Sequence, residues 1–69
     1  MMNMHFLTPR EKEIFEMLVD EKTTNEISNI LSISEKTVRN HISNVIGKLG
    51  VSSRTQAIIT LVKSGMIKI

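Results

Sequence analysis

The chain has 69 residues, which allows one domain with a modest hydrophobic core. It contains no cysteine, which excludes disulfides and thiolate metal sites and fits a reducing compartment such as the cytoplasm. No apolar run approaches the length of a transmembrane span, and the N-terminal stretch MMNMHFL is too short for a signal peptide. We therefore expect one cytoplasmic domain without membrane attachment, stabilised by apolar packing.

Charge is divided unevenly along the chain. All seven acidic residues lie at or before Glu35, together with three basic residues. Residues 36–69 contain the other six basic residues and no acid. Scattered lysines are often merely solvated, but an acid-free half favours a polyanionic partner.

Capping signals predict the first two helices. Thr8, Pro9 and Glu11 form the start of a helix beginning at Pro9, because the hydroxyl and the carboxylate both satisfy free backbone amides. Thr23 and Glu26 repeat the pattern for a short second helix. The predicted apolar positions are Ile14, Phe15, Leu18 and Val19 in the first helix and Ile27, Ile30 and Leu31 in the second.

Ser34 is the predicted cap of a third helix at about Glu35 to Leu49, and Gly50 is its predicted C-terminal cap. Apolar residues recur on one side of this helix at positions Val38, Ile42, Val45, Ile46 and Leu49. The opposite side contains Lys36, Arg39, Asn40, Ser43, Asn44 and Gly47.

Ser53 opens a fourth helix that ends near Gly65, with apolar residues at Ala57, Ile58, Leu61 and Val62. No alternating pattern typical of a strand is present. The sequence therefore predicts an all-α, four-helix domain at residues 7–69, preceded by a flexible tail at residues 1–6.

Only residues 32–34 separate the second and third helices, which predicts a helix-turn-helix. Ile33 can fill the corner, and Ser28 is small where the third helix must approach. This arrangement presents the third helix to the DNA major groove. Arginine pairs with guanine and asparagine with adenine, so Arg39 and Asn40 are predicted base contacts beside the short Ser43.

Gly47 bears on the same interpretation. A glycine inside a helix costs about 1 kcal/mol relative to alanine. A purely solvated helix face does not explain this cost, whereas close approach to a groove does.

The segments LTPREKEI, TTNEIS, ISEKTVRNHISNVIGKLGV and SRTQAI resemble the LuxR-type DNA-binding domain, and the resemblance covers residues 7–65. Within that family the chain looks most similar to GerE-like stand-alone regulators of late sporulation genes. The resemblance implies a four-helix LuxR-type helix-turn-helix fold and dimerisation through the last helix. Two positions depart from the family pattern: Ser28 replaces the usual alanine, and Lys22 replaces the usual glycine.

The resemblance also implies residue roles. Base contacts would fall on Arg39, Asn40 and Ser43. Phosphate contacts would fall on Lys36, Thr37, His41 and Lys48, and we add Arg54 and Thr23 as further candidates. Simpler roles remain open for three of them: a structural hydrogen bond for His41, helix capping for Thr37 and solvation for Lys48.

The last helix has more apolar surface than a small core needs. The predicted interface of a homodimer therefore consists of Ile58, Ile59 and Val62. Alternatively, the tail at residues 66–69 covers this surface. The predicted partners are double-stranded DNA, a second copy of the chain and RNA polymerase.

Other classes of function fit less well. The two histidines are 36 residues apart and no glycine-rich phosphate loop is present, so we expect no enzyme, no metal site and no cofactor. A small helical protein-interaction module remains an alternative. So does an isolated C-terminal effector domain of a two-component response regulator. Because no receiver or ligand-binding sequence is present, we expect a stand-alone regulator.

Overall fold

The computed structural model describes residues 6–68, which form four α-helices and no strand. In chain order the helices are α1 (Pro9–Val19), α2 (Thr24–Leu31), α3 (Glu35–Leu49) and α4 (Arg54–Lys63). The predicted all-α class and the predicted helix starts are confirmed.

Each helix begins after a serine or threonine whose side chain accepts a backbone N–H from the first turn. At α1, the Thr8 hydroxyl accepts the Glu11 N–H at 3.1 Å, and the Glu11 carboxylate accepts the Thr8 N–H at 2.9 Å. One such cap contributes about 1 kcal/mol. The helix starts are thus specified by residues only three positions apart.

The helices end by a common device, in which two backbone N–H groups bond back to carbonyls of the last turn. At the end of α3, Gly50 has φ 68°, and the N–H of Val51 donates to the carbonyl of Ile46 at 3.3 Å. Gly65 after α4 has φ 79°. Glycine suits these left-handed positions because it has no Cβ, and the predicted helix ends at Gly50 and near Gly65 are confirmed.

The ends of α1 and α2 use the same device without glycine. The left-handed residues there are Glu21, with φ 64°, and Ser32, with φ 57°. The resemblance drew attention to Lys22 as the replacement of a usual glycine, but the positive φ falls on Glu21, one residue earlier. Lys22 instead donates its N–H to the carbonyl of Met17 at 3.0 Å.

Helix α3 lies at the centre of the fold and contacts all three other helices. The buried apolar side chains form a single cluster: Leu7, Ile14, Phe15, Leu18, Ile27, Val38, Ile42, Val45, Ala57, Leu61 and Ile67. Because the predicted stripe of α3 supplies three of these residues, its opposite side is left on the surface.

The turn between α2 and α3 has the predicted features. Ile33 is half-buried and packs against the core. Ser28 is buried, and its hydroxyl donates to the carbonyl of Asn25 at 2.8 Å, so its replacement of alanine leaves no unsatisfied polar atom. A small, satisfied side chain lets α3 cross α2 closely.

Two expectations need correction. Ile30 is 55% exposed, because Ile27 and Ser28 occupy the side of α2 that faces the core. Phe6, assigned to the flexible tail, packs half-buried against the core. The remainder of that tail, including His5, lies outside the described residues.

The segment after α4 also contributes to the core. Met66 is half-buried, and Ile67 is buried among the residues of the main cluster. Ile69 lies outside the described residues.

Within residues 6–68, no helix is long and apolar enough to cross a membrane.

Candidate nucleic-acid interface

The outer face of α3 is the surface turned away from the core, and all six residues predicted for it are exposed: Lys36, Arg39, Asn40, Ser43, Asn44 and Gly47. It contains two cations and no acid. A Cβ added at Gly47 would meet no atom within 4 Å in this chain. The domain itself therefore does not need glycine at this position.

The start of α3 is held by side chains on the same surface. The Ser34 hydroxyl accepts the Thr37 N–H at 3.0 Å, and the two hydroxyls lie 2.9 Å apart. The capping role left open for Thr37 is therefore present. It does not exclude a phosphate contact, which stays a prediction.

Glu35 connects α2 to α3, a role that sequence analysis missed. Its carboxylate accepts from the Thr24 hydroxyl at 3.3 Å and from the Asn25 side-chain amide at 3.1 Å. The same carboxylate lies 3.7 Å from a guanidinium nitrogen of Arg39. One acid therefore contacts both the supporting helix and a predicted base-reading residue.

Lys48, at the other end of α3, is directed into the domain. Its ammonium donates to the Glu11 carboxylate and, at 3.2 Å, to the carbonyl of Phe6. It also lies 6.0 Å from the centre of the Phe6 ring. The phosphate contact of Lys48 stays a prediction, and two of its donors are already used within the chain.

Glu11 is buried, although α1 contains other acids that are exposed. Burial by itself raises the pKa of this carboxyl, but the hydrogen bonds from Lys48 and Thr8 outweigh it, so the pKa lies below its ordinary value. The capping box predicted the hydrogen bond from the Thr8 N–H, but the sequence did not indicate the contact with Lys48.

The remaining phosphate candidates lie around α3. Thr23 caps α2 and is exposed, and its hydroxyl accepts the Glu26 N–H at 3.1 Å while keeping a proton to donate. Arg54 is exposed in the first turn of α4 and forms no ion pair with the described residues. His41 is half-buried at the edge of the apolar stripe. Their phosphate contacts stay predictions.

The predicted dimer residues differ in exposure. Ile59 is 48% exposed on the side of α4 away from the buried Ala57 and Leu61. Val62 and Ile58 are half-buried, and Ile58 packs against the core. Met66 and Ile67 follow α4, yet Ile59 stays exposed in the part of the chain that the structure describes.

Residues 6–68 enclose no cavity and contain no group of three metal-ligating side chains. The surface with distinctive chemistry is the outer face of α3, braced by α2. A helix held in this way, with polar and cationic side chains outward, defines a helix-turn-helix DNA-binding domain.

Comparisons with known proteins agree with this class. A family model described as bacterial regulatory proteins, luxR family, matches residues 5–61. The spore germination protein GerE of Bacillus subtilis (strain 168) is 57% identical over 63 residues, covering 91% of this chain and 85% of GerE. A solved structure of the transcription factor GerE has a TM-score of 0.88 at 59% identity, covering 91% of this chain and 94% of that chain.

Longer regulators are also similar. The transcriptional regulatory protein DegU of Brevibacillus brevis is 42% identical over 66 residues, which are 96% of this chain but 28% of DegU. The chain thus spans less than a third of that relative.

The chain belongs to the luxR family of bacterial regulatory proteins. It is a DNA-binding transcription regulator with the four-helix fold of GerE.

Proposed function

We propose that the protein binds double-stranded DNA sequence-specifically and reads the major groove with α3. The observation that carries the proposal is the outer face of α3, which is exposed and free of acids. Arg39 and Asn40 supply the donors that guanine and adenine edges accept. Ser43 and Gly47 keep the same face shallow enough for the helix axis to approach the bases.

Phosphate contacts would surround this reading helix. Lys36 is exposed one turn before Asn40, at the N-terminal end of the outer face. The other proposed phosphate contacts are Thr23, Thr37, His41 and Arg54. Because phosphates are shared by all sequences, these residues contribute affinity and orientation, and base contacts contribute specificity.

Selection of bound duplexes from random DNA, followed by titration over salt, tests the proposal. Affinity should fall steeply with salt, and Lys36→Ala should reduce the slope of log K against log salt by about 0.9. Lys12→Ala on the exposed side of α1 is the matched control and should leave the slope unchanged. Binding that does not depend on salt would favour a protein-interaction module instead.

We also propose a homodimer through α4. Ile59 is a large apolar residue exposed opposite the core, and Val62 and Ile58 continue apolar surface toward it. A two-fold pair of domains would place two α3 helices about 34 Å apart, one turn of DNA, and would prefer an inverted repeat.

The dimer is tested with Ile59→Lys combined with Val62→Lys. The double variant should sediment as a monomer and lose affinity for the full site more than for a half-site. Ile30→Lys is the control, because Ile30 is equally apolar and exposed but lies on α2. Unchanged mass and unchanged full-site affinity in the α4 variant would place the interface elsewhere.

The similarity to a spore germination protein over 85% of its length supports a role in controlling late sporulation genes. Such a regulator would act in the cytoplasm, on the chromosome, with RNA polymerase as a further partner. Transcript profiles of sporulating cells with and without the gene test this role; unchanged late transcripts would contradict it.

A second candidate is the effector domain of a longer response regulator. It is favoured by the similarity to DegU, of which this chain spans 28%. The mass of the protein produced in its own cells separates the two candidates.

A further inference from the structure

Glu35 stands out because it is an acid next to a surface proposed to meet a polyanion. Its side chain is 41% exposed, and no acid follows it in residues 36–69. A carboxylate here repels phosphates and weakens binding to any DNA. In the first turn of α3 the carboxylate interacts favourably with the helix dipole. A neutral residue that caps the helix would give much of this stabilisation without repelling phosphates.

The contacts of Glu35 indicate what it does. Hydrogen bonds from Thr24 and Asn25 hold the carboxylate from the α2 side, so its position is fixed by the supporting helix. The guanidinium of Arg39 lies one helical turn further along, 3.7 Å away. Because Thr24 and Asn25 hold the carboxylate in place, its attraction for the guanidinium also restrains the Arg39 side chain.

The distance between the two charges is important. At 3.7 Å the pair is within range of an ion pair but too long for a hydrogen bond. The guanidinium forms no hydrogen bond within residues 6–68, and its side chain is 56% exposed. Arg39 is thus held near one orientation while its five donors remain available for a base edge.

We propose that Glu35 is a specificity-determining positioning residue, which restrains Arg39 for base recognition and lowers affinity for DNA that offers Arg39 no partner. The proposal rests on the proposed sequence-specific function. Restraining a long side chain before binding reduces the entropy lost on the correct site. Repulsion from phosphates lowers the affinity for all sites equally and leaves the ratio of specific to non-specific affinity unchanged, so the restraint on Arg39 is what raises that ratio.

The test compares Glu35→Gln with the unaltered protein, using a duplex selected by the unaltered protein and a scrambled duplex of the same composition. Glutamine removes the charge, while its oxygen can still accept from Asn25 and its amide nitrogen can donate to the Thr24 hydroxyl. Affinity for the scrambled duplex should rise about two- to fivefold as repulsion is lost. The ratio of selected to scrambled affinity should fall about three- to tenfold.

Glu13→Gln is the matched control. Glu13 pairs with Arg10 at 3.5 Å along α1, so the variant also removes one exposed acid beside an arginine. It should leave the affinity ratio unchanged. Urea unfolding of both variants provides a second readout, because a purely structural role of Glu35 would lower stability and leave the ratio as it was.

A third variant tests whether Glu35 acts through Arg39. In an Arg39→Gln background, Glu35→Gln should no longer change the ratio. An equal fall in this background would overturn the proposal and indicate that Glu35 itself accepts from a cytosine amine. A ratio unchanged by Glu35→Gln alone would also overturn it.

The proposed function fails differently. If the unaltered protein bound selected and scrambled duplexes equally, sequence-specific reading would be overturned before any variant was compared, and this proposal with it.

Discussion

The two ends of α3 use charge in different ways. At the N-terminal end, Arg39 is exposed and lies 3.7 Å from Glu35, a distance that leaves its donors available. At the C-terminal end, Lys48 donates to the buried Glu11 and to the carbonyl of Phe6. The same helix therefore presents Arg39 outward and uses Lys48 to attach itself to α1 and the segment before it.

This difference shows how a reading helix can be both rigid and accessible. A charge pair with a buried partner is expensive to break, because the remaining charge would stay unpaired away from water. Lys48 can therefore fix the far end of α3 without occupying its outer face. Positive charge on a helix is no measure of its affinity for DNA until the partners of each cation are known.

Breaking the C-terminal attachment should have the largest effect. Lys48→Met keeps much of the apolar stem but leaves the Glu11 carboxylate without its cation, and it should lower the free energy of unfolding by about 2–3 kcal/mol. Urea denaturation measures the loss. Adding Glu11→Gln to Lys48→Met should restore part of the stability, since no buried charge then remains.

The same variant separates anchoring from DNA contact. Where Lys48→Met is still folded, its affinity for DNA and its salt slope should be close to those of the unaltered protein. A salt slope reduced by about 0.9 would instead give Lys48 a phosphate contact.

At the N-terminal end, Arg39→Ala should cost about 1–3 kcal/mol of affinity at the selected site and much less at a scrambled one. Stability should change little, because the side chain is more than half exposed. Competition binding with both duplexes measures the difference. Equal losses on the two would make Arg39 a phosphate contact, and Arg10→Ala on α1 should affect neither.

Gly47, between the two ends, should show opposite effects on stability and binding. Gly47→Ala should raise the free energy of unfolding by about 1 kcal/mol, because the added methyl meets nothing in the domain. If α3 enters the groove, the same methyl should weaken DNA binding.

The control for this variant is Gly50→Ala. Gly50 also has open space around it, but its φ of 68° disfavours a side chain, so that substitution should destabilise the protein. A Gly47→Ala protein that is more stable and binds DNA equally well would show that this position does not approach DNA.

The smallest effect is on the pH dependence of stability. The pKa of Glu11 is lower in the folded protein than its ordinary value of 4.5. The folded state therefore gains stability from ionised Glu11 above about pH 4.5, and this contribution is lost as pH falls through the folded pKa. Urea unfolding from pH 7 to pH 3 should show the loss, and Lys48→Met should flatten it. Identical pH profiles for both proteins would contradict the assignment.

Local signals made much of this fold predictable. Thr8, Thr23, Ser34 and Ser53 each specify a helix start through a hydrogen bond to a residue three positions on, which a sequence shows directly. The periodic stripe of α3 likewise predicted which side would be buried, and so which side would be exposed. These features depend on a single helix and its cap and need no knowledge of the tertiary arrangement.

Contacts between distant residues were not predictable in this way. Lys48 and Glu11 are 37 positions apart, and nothing near either one indicates the other. Glu35 was read only as part of a helix start, since its bonds to Thr24 and Asn25 exist only once α2 crosses α3. Ile30 satisfied the helical spacing of α2, yet the core lies on the other side of Ile27. The DNA contacts themselves depend on a partner and stay predictions.

The burial of Ile67 has a practical consequence for anyone producing this domain. The family model ends at residue 61, whereas Ile67 is 1% exposed and packs in the main cluster. Expressing only the matched residues would delete a fully buried isoleucine, a loss of about 2–5 kcal/mol by analogy with large-to-small changes in cores. A domain this small has a stability of that order, so the shortened chain would be sensitive to proteases. Affinity tags and truncations should leave the segment after α4 intact through Ile67.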